Sequence, residues 1–229
     1  MRILLVEGIT DVNLVRYIYS QMSEENSFDD FVKKGNINPK IVTFENQRNP
    51  SLKIINLNGQ DKLDKALENI ILPMERKIKK IGIISDADNN FDLSKEIVIK
   101  AIENSLINKD KFMCFLTPND KDVGNLETLL LSSLDKENLP QLQCFKEYKE
   151  CLNNSIENIE KRAIDKHEVE AYIKFSEKPR NRNQAQFSFV DEKGDTGLWD
   201  LSKKEFEPII AFVELCFKNN KEQKCKKKP

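Results

Sequence analysis

The chain has 229 residues, enough for one domain of ordinary size and an appendage. Its 37 basic and 38 acidic residues nearly cancel, so bulk charge does not indicate a nucleic-acid binder, and any such binding must come from a local basic patch. The five cysteines include no C-x-x-C pair, which argues against structural zinc. With no signal peptide and no long apolar run, the expected location is the cytoplasm.

The first predicted element is an apolar strand, residues 2–6, which ends at Glu7. A helix over residues 10–22 follows, and Thr10 is a suitable N-cap for it. Asp11 would then lie in the first helical turn, where negative charge is favoured.

The next stretch, residues 23–52, is polar and is interpreted as an insertion with one short strand at 41–44. A second core strand is predicted at 53–57. The apolar spacing that follows predicts a helix over 61–72.

A third apolar strand, residues 80–85, ends in two aspartates, Asp86 and Asp88. Ligands of open α/β sheets bind beyond the carboxyl ends of such strands. Clustered carboxylates repel one another, and a hard divalent cation relieves that repulsion. If the first and third strands are neighbours, Glu7 and Asp11 converge with these aspartates. A plain acidic turn after a strand is the competing interpretation of D-x-D on its own.

Further along, a helix after residue 92 leads to a fourth apolar strand at 112–116. Alternating strands and helices predict an α/β fold, with a Rossmann-like parallel sheet flanked by helices. A receiver-like domain would give the same alternation.

The pattern Val6-Glu7-Gly8-x-x-Asp11, followed much later by Asp86-x-Asp88, resembles the Toprim domain. Topoisomerases, bacterial primases, small RNA-maturation nucleases and OLD-family nucleases share that domain. The resemblance covers residues 1–135, which are expected to form the catalytic domain. It implies that Asp86 and Asp88 bind Mg²⁺ or Mn²⁺, that Glu7 acts as general acid or base or bridges metal, and that Asp11 supports them.

The resemblance does not extend equally to every family that shares the Toprim domain. The chain has no room for the tyrosine-bearing domain of a topoisomerase, and no P-loop motif for the ATPase of an OLD nuclease. The D-x-D of RNA-maturation nucleases usually runs on to a glycine, whereas Asn89 and Asn90 follow here. We therefore expect Mg²⁺-dependent cleavage of nucleic-acid phosphodiesters, with DNA slightly favoured over RNA. The tail of the chain resembles small stand-alone bacterial Toprim proteins of unknown function.

A further acid follows the fourth strand. Asn125 is a good N-cap, which places Glu127 in the first turn of the next helix. Proteins resembling OLD nucleases use a further acid for a second metal, and Glu127 is the candidate, with Asp120 or Asp122 behind it. The competing interpretation is an acid that the helix dipole favours.

Residues 136–217 are predicted to form a helical extension, whose last helix, with apolar residues between 206 and 217, packs back on the domain. His167 lies among charges and is expected at the surface. The polar loop at 176–198 offers possible nucleic-acid contacts, or else is simply solvated: Lys178, Arg180 and Arg182. Residues 218–229 are expected to form a basic disordered tail.

Two alternatives remain open from the sequence. One is a receiver-like phosphoacceptor domain. The other is a non-catalytic Toprim-like binding module that acts with an ATPase partner in trans, with Trp199 and the last helix as its interface.

Overall fold

The computed structural model describes residues 1–38, 41–136, 139–156, 161–176 and 198–218. It confirms the predicted α/β class, with a sheet flanked by helices and a helical C-terminal region. Six strands form one sheet: β1 (Arg2–Val6), β2 (Phe31–Asn38), β3 (Ile41–Asn46), β4 (Leu52–Asn56), β5 (Lys80–Asp86) and β6 (Phe112–Thr117).

The strands lie in the order β2-β3-β4-β1-β5-β6. The central strand β1 runs parallel to both neighbours, and Leu4 is opposite Ile54 of β4 and Gly82 of β5. All five residues of β1 are buried, which explains why it reads as a continuous apolar run.

One side of the sheet differs from the predicted all-parallel arrangement. Strand β3 runs antiparallel to β4, and β2, which the sequence did not predict, runs antiparallel to β3. The supposed insertion therefore extends the sheet. Strand β2 carries Lys33, Lys34 and Gly35 and has an irregular register, as is typical of an edge strand. These features also explain why the sequence pattern does not indicate a strand here.

The helices are α1 (Ile9–Gln21), α2 (Leu63–Ala66), α3 (Phe91–Asn104), α4 (Leu126–Ser132), α5 (Pro140–Ser155), α6 (Lys161–Phe175) and α7 (Glu207–Phe217). The helix predicted over 61–72 is a series of short turns, in which α2 continues as a π-helix, Leu67–Ile71, and a 3₁₀-helix, Leu72–Lys77. None of the helices in the described ranges is long and apolar enough to cross a membrane.

The described residues divide into two compact units. The first contains residues 1–85, 93–115 and 208–218, and the second contains residues 86–92 and the described part of 116–207. Both are discontinuous in sequence. The predicted boundary after residue 135 stays a prediction.

In the first unit the last helix, α7, packs against the sheet, as predicted. Cys216 Sγ lies 3.7 Å from the carbonyl oxygen of Ile3, and the Phe217 ring stacks on Phe31 with 6.0 Å between centroids. A Cβ at Gly82 would lie 3.0 Å from Cys216 Sγ and closer still to a methyl carbon of Leu4. The close approach of α7 to β5 therefore depends on the missing side chain at Gly82.

In the second unit, helices α4, α5 and α6 pack together around a small core. Trp199 is fully buried there, with its ring 5.0 Å from that of Tyr172. The Tyr172 hydroxyl donates to the Leu198 carbonyl over 3.1 Å. The sequence-based suggestion that Trp199 lies on a partner-binding surface is therefore wrong, because its indole ring stabilises the unit's interior.

Candidate functional site

The turn after β1 is held by Asp11. The Gly8 backbone N–H donates to Asp11 Oδ2 over 2.8 Å, and Gly8, in an extended conformation, is the N-cap of α1. The sequence analysis had suggested Thr10 as the N-cap, and that suggestion is wrong. Asp11 is 8 % exposed and lies at the third helical position, so its carboxylate fixes the turn that carries Glu7.

The Glu7 side chain takes part in a short polar chain within the first unit. The Ser85 hydroxyl donates to Glu7 Oε2 over 3.4 Å, and the Gln60 side-chain amide donates to Ser85 Oγ over 3.1 Å. This contact follows from the register of the sheet, in which Val6 is opposite Ile84. Glu7 and Ser85 thus follow paired residues at the carboxyl ends of two parallel strands.

Asp86, the next residue in the chain, is 7 % exposed and belongs to the second unit. Its Oδ1 accepts one hydrogen bond from the Thr117 hydroxyl over 2.7 Å and another from the Leu126 backbone N–H over 3.2 Å. Two donors on one oxygen fix the orientation of the carboxylate.

Asp88 adopts a left-handed backbone conformation, with φ of 49°. Its carbonyl oxygen accepts the Gly124 N–H over 2.8 Å, and the two residues form an isolated antiparallel bridge. Gly124 itself has φ of +140°, and a Cβ there would lie 2.8 Å from Thr128 Oγ1. The bridge therefore requires glycine at position 124.

Residues 124–126 thus hold the D-x-D turn with alternate amides. The Gly124 N–H donates a hydrogen bond to the Asp88 carbonyl, and the Leu126 N–H donates one to the Asp86 carboxylate. Between them, Asn125 caps α4, as predicted: its side-chain oxygen accepts the Thr128 N–H over 2.9 Å. We call residues 124–126 the clamp segment, because its position sets the positions of both aspartates.

A small pocket, open to solvent, lies beside the clamp segment within the second unit. It is lined by Asp88, Asn89, Val123, Gly124, Asn125, Thr128 and Asp165. Most of these side chains are polar, but the pocket has room for little more than a water molecule.

Asp165, from α6, is the unexpected member of this lining. It is 5 % exposed and accepts a hydrogen bond from the Thr128 hydroxyl over 3.0 Å. Lys149 Nζ lies 4.0 Å from Asp165 and 3.5 Å from Glu168, another buried acid on the same helix. Glu168 also pairs with Lys136, over 2.9 Å.

The other predicted acids lie in different settings. Glu127 is half-buried at the second position of α4. Asp120 Oδ1 accepts the Leu116 N–H over 3.2 Å, and Asp122 accepts from the Asn119 side chain over 2.8 Å, so both carboxylates serve the turn after β6.

Of the other predicted residues, His167 is exposed, as expected, with Nδ1 3.3 Å from Glu170. The candidate nucleic-acid contacts Lys178, Arg180 and Arg182, and the basic tail from residue 219 onward, lie outside the described residues.

Several residues of this site escaped the sequence analysis, among them Thr117, Thr128 and Asp165. One signal for Asp165 was available. It shares a helical face with Val169 and Tyr172, at positions i, i+4 and i+7, and an acid among core residues needs a buried partner. Thr117 and Thr128 carry no comparable signal, because their partners lie 31 and 37 residues away.

Within the second unit, the side chains of Asp86 and Asp88 offer carboxylate oxygens, the kind of ligand that a hard divalent cation prefers. Mg²⁺ keeps several waters and takes one or two carboxylates, so a D-x-D pair can supply its protein ligands. Over the ranges described, no group of three or more His, Cys, Asp or Glu residues is gathered so that it could hold a metal ion.

A family model described as "Protein of unknown function (DUF3226)" matches residues 1–218. No curated protein and no solved structure matches the chain.

Proposed function

We propose that this chain, which belongs to the DUF3226 family of proteins of unknown function, cleaves nucleic-acid phosphodiesters with Mg²⁺ or Mn²⁺, with DNA slightly favoured over RNA. The proposal rests on the resemblance of its two acidic motifs to the Toprim domain. One structural observation supports it best: alternate amides of the clamp segment hold the carboxylate of Asp86 and the backbone of Asp88.

That observation matters because a metal ligand must be oriented before the metal arrives. Residues that hold a ligand carboxylate by hydrogen bonds commonly change metal affinity when they are replaced. A plain acidic turn needs no such support. Asp86 is largely buried and accepts two hydrogen bonds, which is the setting expected of an oriented ligand.

Each residue then has a role. Asp86 and Asp88 would hold the metal ion, with Glu127 as the candidate for a further ligand. Glu7 would move a proton to or from the reacting oxygen as general acid or base, and the hydrogen bond from Ser85 would orient its carboxylate. Asp11 would keep the Glu7 turn in place. When bound, Mg²⁺ would offset the repulsion between these acids and the phosphodiester.

The test is cleavage of plasmid, linear duplex DNA and structured RNA with Mg²⁺ or Mn²⁺, by the intact protein and by an Asp86→Asn/Asp88→Asn variant. Asparagine retains an oxygen that can accept from Thr117 and Leu126, and it tolerates the left-handed conformation at position 88. A loss of activity can then be attributed to the missing charges. Asp110→Asn, at an exposed turn of the first unit, is the control and should retain activity.

Calorimetric Mg²⁺ titration completes the test. Cleavage and metal binding that both disappear in the double variant, while its circular dichroism is unchanged, would support the proposal. A protein that binds Mg²⁺ but cleaves nothing would favour the alternative of a module that needs an ATPase partner in trans. A protein that neither binds Mg²⁺ nor cleaves would refute the metal site.

A further inference from the structure

We infer that Asp165 is a positioning residue of the D-x-D turn, which acts from α6 through Thr128 on the clamp segment. The inference deepens the proposed function and rests on it, but its first step concerns hydrogen bonds that exist without metal or substrate. All the residues involved belong to the second unit.

The first step is the direction of the Thr128 hydroxyl proton. A threonine hydroxyl has one proton and two lone pairs. Thr128 Oγ1 lies 3.0 Å from both Asp165 Oδ2 and Asn125 Oδ1, and it accepts the Asn125 backbone N–H over 3.3 Å. Asn125 Oδ1 already accepts the Thr128 N–H, whereas the Asp165 carboxylate is the stronger, charge-assisted acceptor. The proton therefore points to Asp165.

The second step is the effect on the clamp segment. When the Thr128 hydroxyl donates its proton in a hydrogen bond to Asp165, its oxygen presents a lone pair to the Asn125 N–H. This contact closes the reciprocal cap at the start of α4. Asn125 is the central residue of the clamp segment. Its neighbours Gly124 and Leu126 donate to Asp88 and Asp86, so a cap that loosens at Asn125 releases both contacts.

The third step is the anchoring of Asp165 itself. A carboxylate that is 5 % exposed is costly to bury unless it has partners. Asp165 has the ammonium group of Lys149 and the hydroxyl of Thr128 as partners, and these contacts hold it in place. Glu168, one turn along α6 and 6 % exposed, shares the same lysine, but its other ion pair is with Lys136 rather than with α4. Glu168 is therefore a matched control with the same kind of burial and a different set of contacts.

The experiment compares Asp165→Asn, Thr128→Val, the double variant and Glu168→Gln in the full chain. The first readout is amide hydrogen exchange of Gly124 and Leu126, measured by NMR without metal. Replacing Asp165 or Thr128 should accelerate exchange at both amides about tenfold, since a hydrogen bond to a charged group is lost. The double variant should exchange no faster than the faster single variant. Glu168→Gln should leave these two amides unchanged.

The second readout is the Mg²⁺ dissociation constant, measured by calorimetry. If the proposed function holds, it should rise about tenfold or more in Asp165→Asn and stay constant in Glu168→Gln. Exchange that accelerates in a protein that binds no Mg²⁺ would support the positioning role and refute the metal site. Unchanged exchange in Asp165→Asn, or equal acceleration in Glu168→Gln, would overturn the inference even if the protein binds Mg²⁺ and cleaves nucleic acid.

Discussion

The Leu126 backbone N–H donates a hydrogen bond to the carboxylate of Asp86, 40 residues earlier in the chain. The same oxygen accepts the hydroxyl of Thr117, which is completely buried at the end of β6. A carboxylate held by a neighbouring strand and by a helix start has little rotational freedom, so its direction is set before any ligand binds.

Thr117→Val should therefore destabilise the fold. Valine keeps the shape of threonine, but it leaves the Asp86 carboxylate without its shorter hydrogen bond in a buried site. We expect the free energy of unfolding to fall by about 1.5–3 kcal/mol, the range for hydrogen bonds to charged groups. Urea denaturation measures this change.

Thr43→Val is the matched control. Thr43 is also a buried strand threonine, but its hydroxyl has no hydrogen-bond partner among the residues that the structure describes. Removing that hydroxyl should leave stability unchanged or raise it, because a buried unpaired polar group disfavours folding. Equal losses in the two variants would mean that the hydrogen bond to Asp86 adds nothing to stability.

A second prediction concerns the thiol of Cys216, on the face of α7 that packs against the sheet. Burial raises the pKa of this thiol from 9.0 to about 12, so it stays protonated at pH 8. Thiolates are the reactive form. Iodoacetamide at pH 8 should therefore modify the exposed Cys144 and Cys151 and spare Cys216 until the protein unfolds, as read by peptide mass spectrometry.

The same shift predicts a pH dependence of stability with a definite sign. Between pH 9 and about 12 the unfolded chain loses the Cys216 proton while the folded chain keeps it, so rising pH favours unfolding. The loss of stability over this range should be smaller in Cys216→Ala than in the intact protein. Rapid modification of native Cys216 would contradict both expectations.

Much of the sheet could be predicted because its central strands are short, apolar and β-branched. The sequence 80–85 reads as a strand in isolation, and its burial on both faces explains why. Strand β2 could not be predicted in this way. Among residues 31–35, the part of β2 whose burial is described, only Phe31 is deeply buried, and Lys33 and Lys34 tolerate the solvent at an edge.

The residues of the candidate site also differ in whether a local sequence pattern marks them. Glu7, Asp11 and the D-x-D aspartates can be selected from the sequence because strand ends and turn residues mark them locally, and their role in a functional site stays a prediction. Asp165 was not, since its contact with Thr128 joins residues 37 positions apart on two helices. No local pattern encodes that pairing, although the position of an acid on the apolar face of α6 indicated that some partner was required.

The last prediction separates the two demands on Gly124. A side chain there would be strained by the backbone, with φ of +140°, and would also collide with Thr128, whose Oγ1 would lie 2.8 Å from the new Cβ. Gly35, in β2, has a similar φ of +147°, but a Cβ added there would have no neighbouring atom within 4 Å among the residues that the structure describes. Gly35→Ala should therefore cost only the backbone strain, about 1–3 kcal/mol.

Gly124→Ala should cost more than Gly35→Ala, because the methyl group must displace Thr128 and with it the contact to Asp165. Urea denaturation of both variants gives the difference in unfolding free energy. The additional cost should shrink in a Thr128→Ser background, since serine lacks the γ-methyl group that would lie 3.0 Å from the new Cβ. If the two alanine variants are equally stable, strain alone selects glycine at position 124, and the clamp segment does not depend on close packing against Thr128.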